Sequence, residues 1–361
     1  MVSEETKKRV SDYKGRNRRK AVYATILIAL LFVISVYSLS ISRVDISFTQ
    51  AMDIIMNHLT GNVPDRSTDY LAWWIDQVVV NDNAPRTIAG ICVGVILAVS
   101  GAVMQSVTRN PLTDPYTIGI SSAALFGVTI AVVFDICMIP FLGGESAKMV
   151  NAFVFALIPA AAIVFVSSFK RTSPTMMILI GIALMYVFSA FTTFLKFNAD
   201  PDQIDEIYQW SLGTLVDVDW GAILILIGTS VLLVIVIMLM ANRINVLCTG
   251  DNASVSLGEK PVRVRVICFV VISMATAVAV CYTGTIGFIG LVAPHIARLF
   301  VGSNNKILIP LSAIIGAVML VGADCIVRLL PNVLPVGVIT ALIGSPLFLY
   351  FLYKQRKSSA W

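Results

Sequence analysis

The sequence is poor in charge and lacks the motifs that mark most enzymes. Charged residues make up 13% of its 361 residues, and only two histidines are present. No G-x-x-x-x-G-K-[ST] motif occurs, so the chain supplies no phosphate-binding loop of this type. The six cysteines are scattered and form no C-x-x-C pair, which argues against a disulfide framework or a zinc site. Because no Ser-His-Asp set is apparent either, we expect neither enzymatic activity nor a bound cofactor.

Long apolar runs are what the sequence has in abundance. Hydrophobic residues make up 57% of the chain, and a helix needs about 20 in succession to cross a bilayer core. Ten segments reach or approach this length: 21–41, 87–107, 115–134, 149–168, 174–196, 219–241, 261–282, 286–301, 307–326 and 335–353. They are apolar on every face, unlike the alternating strands of a membrane β-barrel. The sequence therefore predicts an all-α polytopic membrane protein with about ten transmembrane helices in one domain, residues 21–353.

The charges between these segments are sorted by sign. Most Lys and Arg lie in every second connection, whereas residues 198–219 contain several Asp and Glu but no Lys or Arg. Such sorting is typical of the positive-inside rule. Because the segment number is even and both ends, residues 1–20 and 354–361, are basic, we expect both termini in the cytoplasm and the domain in the cell membrane. The net charge of +5 is spread over several loops, so it does not indicate nucleic-acid binding.

The first apolar segment could in principle be a cleaved signal peptide. Its basic lead, residues 7–20, is long, and the apolar run that follows exceeds a typical signal core. No convincing cleavage motif follows it. We therefore expect a retained helix.

Acidic residues are rare inside the apolar segments. Asp324 lies four residues before Arg328, and this spacing on a helix predicts an ion pair. An ionisable residue at this depth is a functional candidate, although a pair that only fixes two helices would look the same. The scarcity of such carboxylates counts against a carrier driven by protons or sodium ions.

Glycine and proline are placed more specifically than the charges. Small residues at 100–105 allow helices to approach closely. Two prolines flank a short turn at 109–115, and each disfavours helix in the residue before it. Residues 283–295 combine three glycines with a proline, which predicts a broken helix covered by protein or lining a cavity.

These motifs together resemble the signature of the FecCD family, the ABC-importer permeases for iron siderophores, haem and cobalamin. The similarity rests on residues 85–86, 100–105, 109–115, 284–298 (GTIGFIGLVAPHIAR), 334–340 and 344–346, in the family's order. It extends over nearly all of the chain from about residue 20. The resemblance implies the inverted-repeat architecture of type II ABC importers. It also implies a homodimer, two separate ATPase subunits and an external substrate-binding protein. An ion-coupled secondary transporter and a polytopic membrane enzyme are the alternative classes.

The resemblance further indicates three candidate sites. The ATPase would dock on a coupling loop formed by Gly250, Asp251, Ala253, Ser254, Leu257 and Gly258. Arg86 and Arg328 would hold the binding protein, although Asn83 replaces one basic residue of the family pattern. Thr172 and Ser173 would form part of a cytoplasmic gate. An ordinary polar loop, an Asp324–Arg328 ion pair with Arg86 reaching lipid headgroups, and a plain interhelical turn would explain the same residues.

The cargo implied by the resemblance is a metal chelate, first a ferric siderophore, with haem or a corrinoid as alternatives. The fifth segment offers neutral groups for a pathway: Met185, Tyr186, Ser189, Thr192 and Thr193. Such groups cannot strip and coordinate a naked cation, but they can pass a chelate that carries its own ligands. His295, beside Pro294, is expected to be a packed or hydrogen-bonded residue rather than a ligand.

Overall fold

A computed structural model describes residues 4–42, 46–61, 63–64, 66–67, 69–169, 172–331 and 334–357. In these ranges the chain forms fifteen α-helices and no β-strand. They are α1 (Glu4–Ser40), α2 (Phe48–Thr60), α3 (Tyr70–Gln77), α4 (Ala84–Thr108), α5 (Ile120–Phe134), α6 (Gly144–Ala156), α7 (Ile158–Phe169), α8 (Pro174–Phe197), α9 (Pro201–Ser211), α10 (Trp220–Cys248), α11 (Asp251–Ser256), α12 (Pro261–Thr283), α13 (Ile289–Val301), α14 (Asn305–Leu329) and α15 (Val336–Lys357). Of the predicted basic segments, Lys170, Arg171 and residues 1–3 and 358–361 lie outside the described residues.

The apolar runs of the sequence form apolar helices, which confirms the predicted fold class. Seven described stretches are long and apolar enough to cross a membrane, and three shorter apolar helices accompany them. Each of the ten predicted segments coincides with one of these. How many of them cross the bilayer stays a prediction, because the three shorter helices fall below the length of a full span.

Two helices begin later than the sequence predicted. The segment predicted at 115–134 opens with a 3₁₀ turn that Asp114 caps through its side chain, so α5 starts five residues late. The segment predicted at 286–301 opens with irregular backbone, in which Gly284 and Phe288 have φ angles of 65° and 68°. The predicted break in this helix is therefore present. The starts of α5 and α13 could not be predicted from hydrophobicity, because the chain stays apolar through the turn that precedes each helix.

Helix α4 is the centre of the molecule and is surrounded by α10, α12, α13 and α14. Its close crossings depend on glycine. A Cβ atom on Gly101 would lie 1.9 Å from the Gly290 carbonyl oxygen, and one on Gly94 would lie 2.5 Å from the Gly316 carbonyl oxygen. Both distances are far below van der Waals contact. The small residues predicted to bring helices together therefore do so at these crossings.

Short helices lie outside the apolar bundle on the predicted outer side. Helix α9, which follows the fifth apolar segment, is amphipathic and buries only Ile207. The loop before α4 contains α2 and α3, which are tied together because His58 Nε2 lies 2.8 Å from Asp76 Oδ1. Helices α1 and α14 meet beside this loop. If the predicted orientation holds, these elements form the surface that faces away from the cytoplasm.

Candidate coupling, docking and gating sites

The predicted coupling loop forms the short helix α11. Gly250, which precedes it, has a φ of 108°, a conformation that favours glycine. Ser254 is fully buried and donates hydrogen bonds to the carbonyls of Val246 (2.9 Å) and Gly250 (2.7 Å). Leu257 is 65% exposed. The loop thus has a buried side, which attaches it to the rest of the protein, and a solvent-exposed side, which is available to a partner.

The solvent-exposed side of α11 carries apolar side chains. Ala253 is exposed, as predicted for a helix that sits in a partner's groove. Val255 is 62% exposed as well, although sequence reasoning did not select it. One large apolar side chain open to solvent within this six-residue helix and a second at its C-cap, Leu257, are what a contact surface for a partner would offer.

Asp251 belongs to the inner attachment of α11. Arg265 on α12 donates to both of its carboxylate oxygens, at 3.0 Å to Oδ2 and 2.5 Å to Oδ1. Arg109, at the end of α4, donates to Oδ1 at 3.3 Å. The hydrogen bonds from Arg265 hold the pKa of Asp251 below its usual value. Asp251 therefore fastens α11 to α4 and α12.

Arg265 is a functional candidate that the sequence reasoning missed. Its side chain is fully buried, and its Nε donates to the Val107 carbonyl at 3.0 Å. A buried guanidinium that loses its carboxylate partner is strongly destabilising, so this residue needs Asp251. The sequence did contain a signal for it, because Arg265 is a charged residue at the fifth position of the apolar segment predicted at 261–282.

Arg86 and Arg328, the predicted docking residues, share one carboxylate. Asp324 Oδ1 accepts hydrogen bonds from Arg86 Nε at 2.8 Å and Nη2 at 2.6 Å, and Oδ2 accepts from Arg328 Nε at 2.7 Å. The predicted Asp324–Arg328 ion pair is therefore confirmed. The structure adds Arg86 to it from a different helix, 238 residues away in sequence.

The two arginines differ in accessibility. The Arg328 side chain is 4% exposed, and its Nη1 donates to the Ser38 carbonyl at 2.9 Å and to Asn83 Oδ1 at 3.0 Å. The Arg86 side chain is 15% exposed. Asn83, which stands where the family pattern has a basic residue, is thus a partner of Arg328 and joins α1 through the Leu39 carbonyl. Arg86 is the more accessible candidate, and a docking role for either arginine stays a prediction.

Thr172 and Ser173 form a compact turn at the start of α8. Ser173 caps α8 by accepting a hydrogen bond from the Met176 amide at 3.2 Å. Thr172 is 4% exposed and donates to Ser167 Oγ at 2.8 Å. Of the two predicted gate residues, only Ser173 presents its side chain to solvent.

The structure brings the gate turn and the coupling helix together. Thr172 and Ser173 line one cleft of about 930 Å³ with Asp251, Asn252 and Val255 of α11. The docking arginines lie elsewhere. Arg86 and Arg109 stand at opposite ends of α4, about 35 Å apart by the helical rise. Two of the three predicted sites therefore share one end of the bundle, and the third lies at the other.

A polar contact supports the broken helix before and within α13. Pro294 has no amide hydrogen, so the Gly290 carbonyl four residues earlier lacks its helical donor. Gln105 on α4 supplies one, because its Nε2 lies 3.4 Å from Gly290 O and 3.3 Å from Leu291 O. Arg298 Nη1 in turn donates to Gln105 Oε1 at 2.6 Å. Sequence motifs contained Gln105 and Arg298, but their partnership appears only in the structure.

The predicted pathway face of α8 needs one correction. Tyr186, Ser189 and Thr193 are exposed, with Tyr186 at 68%. Thr192, however, is 5% exposed, because it lies one helical turn after the buried Phe188 and points into the protein with it. His295 is 5% exposed and its ring centroid lies 5.0 Å from that of Phe351, so it is packed as predicted.

Known proteins share this arrangement over nearly the full length of the chain. Residues 28–354 match the model of the FecCD transport family. A protein of Methanocaldococcus jannaschii named as an ABC transporter permease is 35% identical over 357 residues, which cover 96% of this chain and 98% of that one. A protein of Helicobacter pylori strain J99, named as an iron chelatin transport system permease, is 38% identical over 284 residues, covering 78% of this chain and 84% of that one.

A solved structure agrees with the sequence matches. It is described as an inward-facing conformation of a metal-chelate type ABC transporter, and it superposes with a TM-score of 0.78 at 30% identity. The match covers 92% of this chain and 98% of that chain. The protein therefore belongs to the FecCD transport family, and it is a multi-pass membrane permease subunit of an ABC importer rather than an enzyme.

Proposed function

We propose that this permease imports a metal chelate, first a ferric siderophore, as a homodimer driven by two ATPase subunits and fed by an external binding protein. The chemistry of the exposed face of α8 carries the proposal. Tyr186, Ser189 and Thr193 offer hydroxyl groups and an aromatic ring but no carboxylate, thiol or imidazole. Such a face has nothing to coordinate a bare cation, and it suits a cargo whose metal already has ligands. The name of the Helicobacter pylori relative agrees with an iron chelate.

The homodimer is supported by how little of α8 its own subunit covers. Only 17% of the residues in its most apolar stretch are buried within this subunit. Phe191, Phe194 and Phe197 are exposed by 52%, 66% and 88%. A second copy of α8 across a twofold axis would cover part of this surface and leave the neutral groups around a central pathway. Symmetric dimers are the most common oligomers.

The proposed orientation follows from the sorted charges. Residues 1–20 and 354–361 would lie on the cytoplasmic side of the single domain formed by residues 21–353, in the cell membrane. The coupling loop, whose exposed apolar side chains are Ala253, Val255 and Leu257, would then meet the ATPase. The gate turn at Thr172 and Ser173 lies across the cleft from it. Arg86, aided by Arg328, would meet carboxylates of the binding protein on the outer side.

Reconstitution tests the proposal directly. The permease, with the ATPase and binding protein encoded beside it, is placed in proteoliposomes and offered a ferric siderophore, haem, cobalamin and free ferric ion. We expect uptake of the siderophore complex with ATP inside, and none with ADP or in empty vesicles. Uptake of haem or cobalamin alone would move the assignment to those cargoes. Uptake without ATP that a protonophore abolishes, or a binding protein that takes only a free ion, would refute the proposal.

A further inference from the structure

The cleft between the gate turn and the coupling helix has features of a ligand site. One wall is the end of α7 with Thr172 and Ser173, and the other is α11 with the first turn of α12. Its volume is about 930 Å³, which falls in the range of pockets that hold small ligands. None of the functions assigned above requires such a space to be filled.

The charge inside the cleft is positive, because its acidic residues are already paired. Asp251 is bound by Arg265, and Glu259 Oε1 lies 3.6 Å from Arg243 Nε. Lys260 and Arg263 also line the cleft and are exposed, and neither forms an ion pair with any residue that the structure describes. The cleft thus presents two uncompensated cations.

The remaining lining is divided between hydroxyl groups and aliphatic side chains. Ser168 and Ser173 offer hydroxyls, and Val164 and Val266 form an apolar part. Phe165 and Phe169 of α7, of which Phe169 also lines the cleft, are 65% and 74% exposed. A ligand that fits this pattern has an anionic head and an apolar tail. Basic pockets between transmembrane helices on the cytoplasmic side are known to accept acidic lipid headgroups.

We propose that this cleft binds the phosphate headgroup of an anionic phospholipid from the cytoplasmic leaflet, with Lys260 and Arg263 as its cationic contacts. Its acyl chains would lie along the apolar surface of α7 beyond Val164. A lipid held there touches both the gate turn and α11, so it would set the distance between them. The inference rests on the proposed orientation but not on the identity of the cargo.

Lipid binding to the purified full-length permease tests the site without any transport assay. Native mass spectrometry would measure the affinity of phosphatidylglycerol and of phosphatidylcholine for the wild type and for the double variant K260Q/R263Q. Each of the two cations contributes to attraction of an acidic headgroup, so we expect roughly a thirtyfold loss of phosphatidylglycerol affinity in the variant. Phosphatidylcholine affinity should not change.

The matched control is R18Q/K306Q, which removes the same charge at two other exposed positions. It should keep phosphatidylglycerol affinity within about twofold of the wild type.

Equal affinities in K260Q/R263Q and the control would overturn the proposal. Displacement of the lipid by millimolar inorganic phosphate would also overturn it, because the site would then take free phosphate. Displacement by the ATPase subunits would assign the cleft to their interface instead. A failure of chelate uptake in proteoliposomes would leave these outcomes unaffected.

Discussion

Replacing Gln105 with alanine should destabilise the contact between α4 and α13 by about 2–4 kcal/mol. The change removes the donor to the Gly290 carbonyl, which Pro294 has already deprived of its helical partner. A buried unsatisfied carbonyl costs about 1–3 kcal/mol, and the 3.4 Å contact places this case near the lower end. The acceptor for Arg298 is lost as well, and a hydrogen bond to a charged group contributes about 1.5–3 kcal/mol.

The two contributions can be separated by giving the carbonyl back its donor. In the variant Pro294→Ala the backbone gains an amide hydrogen that can reach the Gly290 carbonyl. The double variant Q105A/P294A should therefore recover about 1 kcal/mol of the loss seen in Q105A, while the contribution of Arg298 stays lost. The variant Q105E, which keeps an acceptor for Arg298 but lacks the amide donor, should be rescued by P294A as well.

Thermal unfolding in detergent provides the assay. With an unfolding entropy of roughly 2.1 cal/mol/K per residue, a loss of 3 kcal/mol lowers Tm by about 4 °C, and the rescue raises it by more than about 1 °C. Pro310, the proline inside α14, supplies the control. P310A should not rescue Q105A, because the amide hydrogen that it adds can reach only the Lys306 carbonyl, four residues earlier in α14. Equal Tm values for Q105A and Q105A/P294A, or equal rescue by P310A, would refute the reasoning.

Four further predictions concern the candidate sites. D251N should lower ATP-driven uptake several-fold, because Arg265 loses its charged partner. The pKa of Asp251 is held below its usual value of 3.8, so the Asp251–Arg265 ion pair should persist from pH 8 to pH 5 and be lost only as the pH falls through that lowered pKa. A253E should abolish co-purification with the ATPase while membrane insertion continues. R86Q should weaken binding-protein affinity roughly tenfold at low salt and less at high salt. S173C should cross-link the two subunits in only some nucleotide states.

A253E and S173C have a matched control at Ser303 in the same chain. S303E places a charge in an exposed connection outside α11, so ATPase co-purification should survive it. S303C serves in the same way for cross-linking, in a background from which Cys137 and Cys248, the two less buried cysteines among the described residues, have been replaced. Unchanged binding-protein affinity in R86Q at low salt would remove its docking role, and a pH-dependent step in uptake near pH 6 that D251N abolishes would contradict the assigned protonation state.

The sequence was informative wherever the relevant signal is local. Apolar runs predicted the helices, glycine and proline predicted the break before α13, and spacing predicted the Asp324–Arg328 pair. Partners that lie on different helices were not predictable in this way. Arg86 reaches Asp324, and Gln105 reaches Arg298, across contacts whose register no periodicity records. Sequence alone could therefore nominate residues but not their partners.

The misplaced Thr192 has a related cause. In a soluble helix, a polar stripe shows which side faces water. In a membrane helix the side against lipid and the side against protein are both apolar, so the orientation of α8 could not be read from its sequence. Helix α11 has a different limit: six residues are too few for periodicity to show which side is attached, so the burial of Ser254 and the exposure of Val255 were not foreseen.

The sharing of Asp324 between Arg86 and Arg328 has a consequence for the proposed docking of a binding protein at Arg86. A carboxylate from outside can draw Arg86 away while Arg328 keeps its own bond to Asp324 Oδ2. The exchange thus leaves no isolated negative charge beneath the surface, which would otherwise be a large penalty on forming the complex. On departure, Asp324 takes Arg86 back. In the proposed docking role, Asp324 would therefore replace the partner's carboxylate whenever the complex is apart, so that binding at Arg86 would be readily reversible.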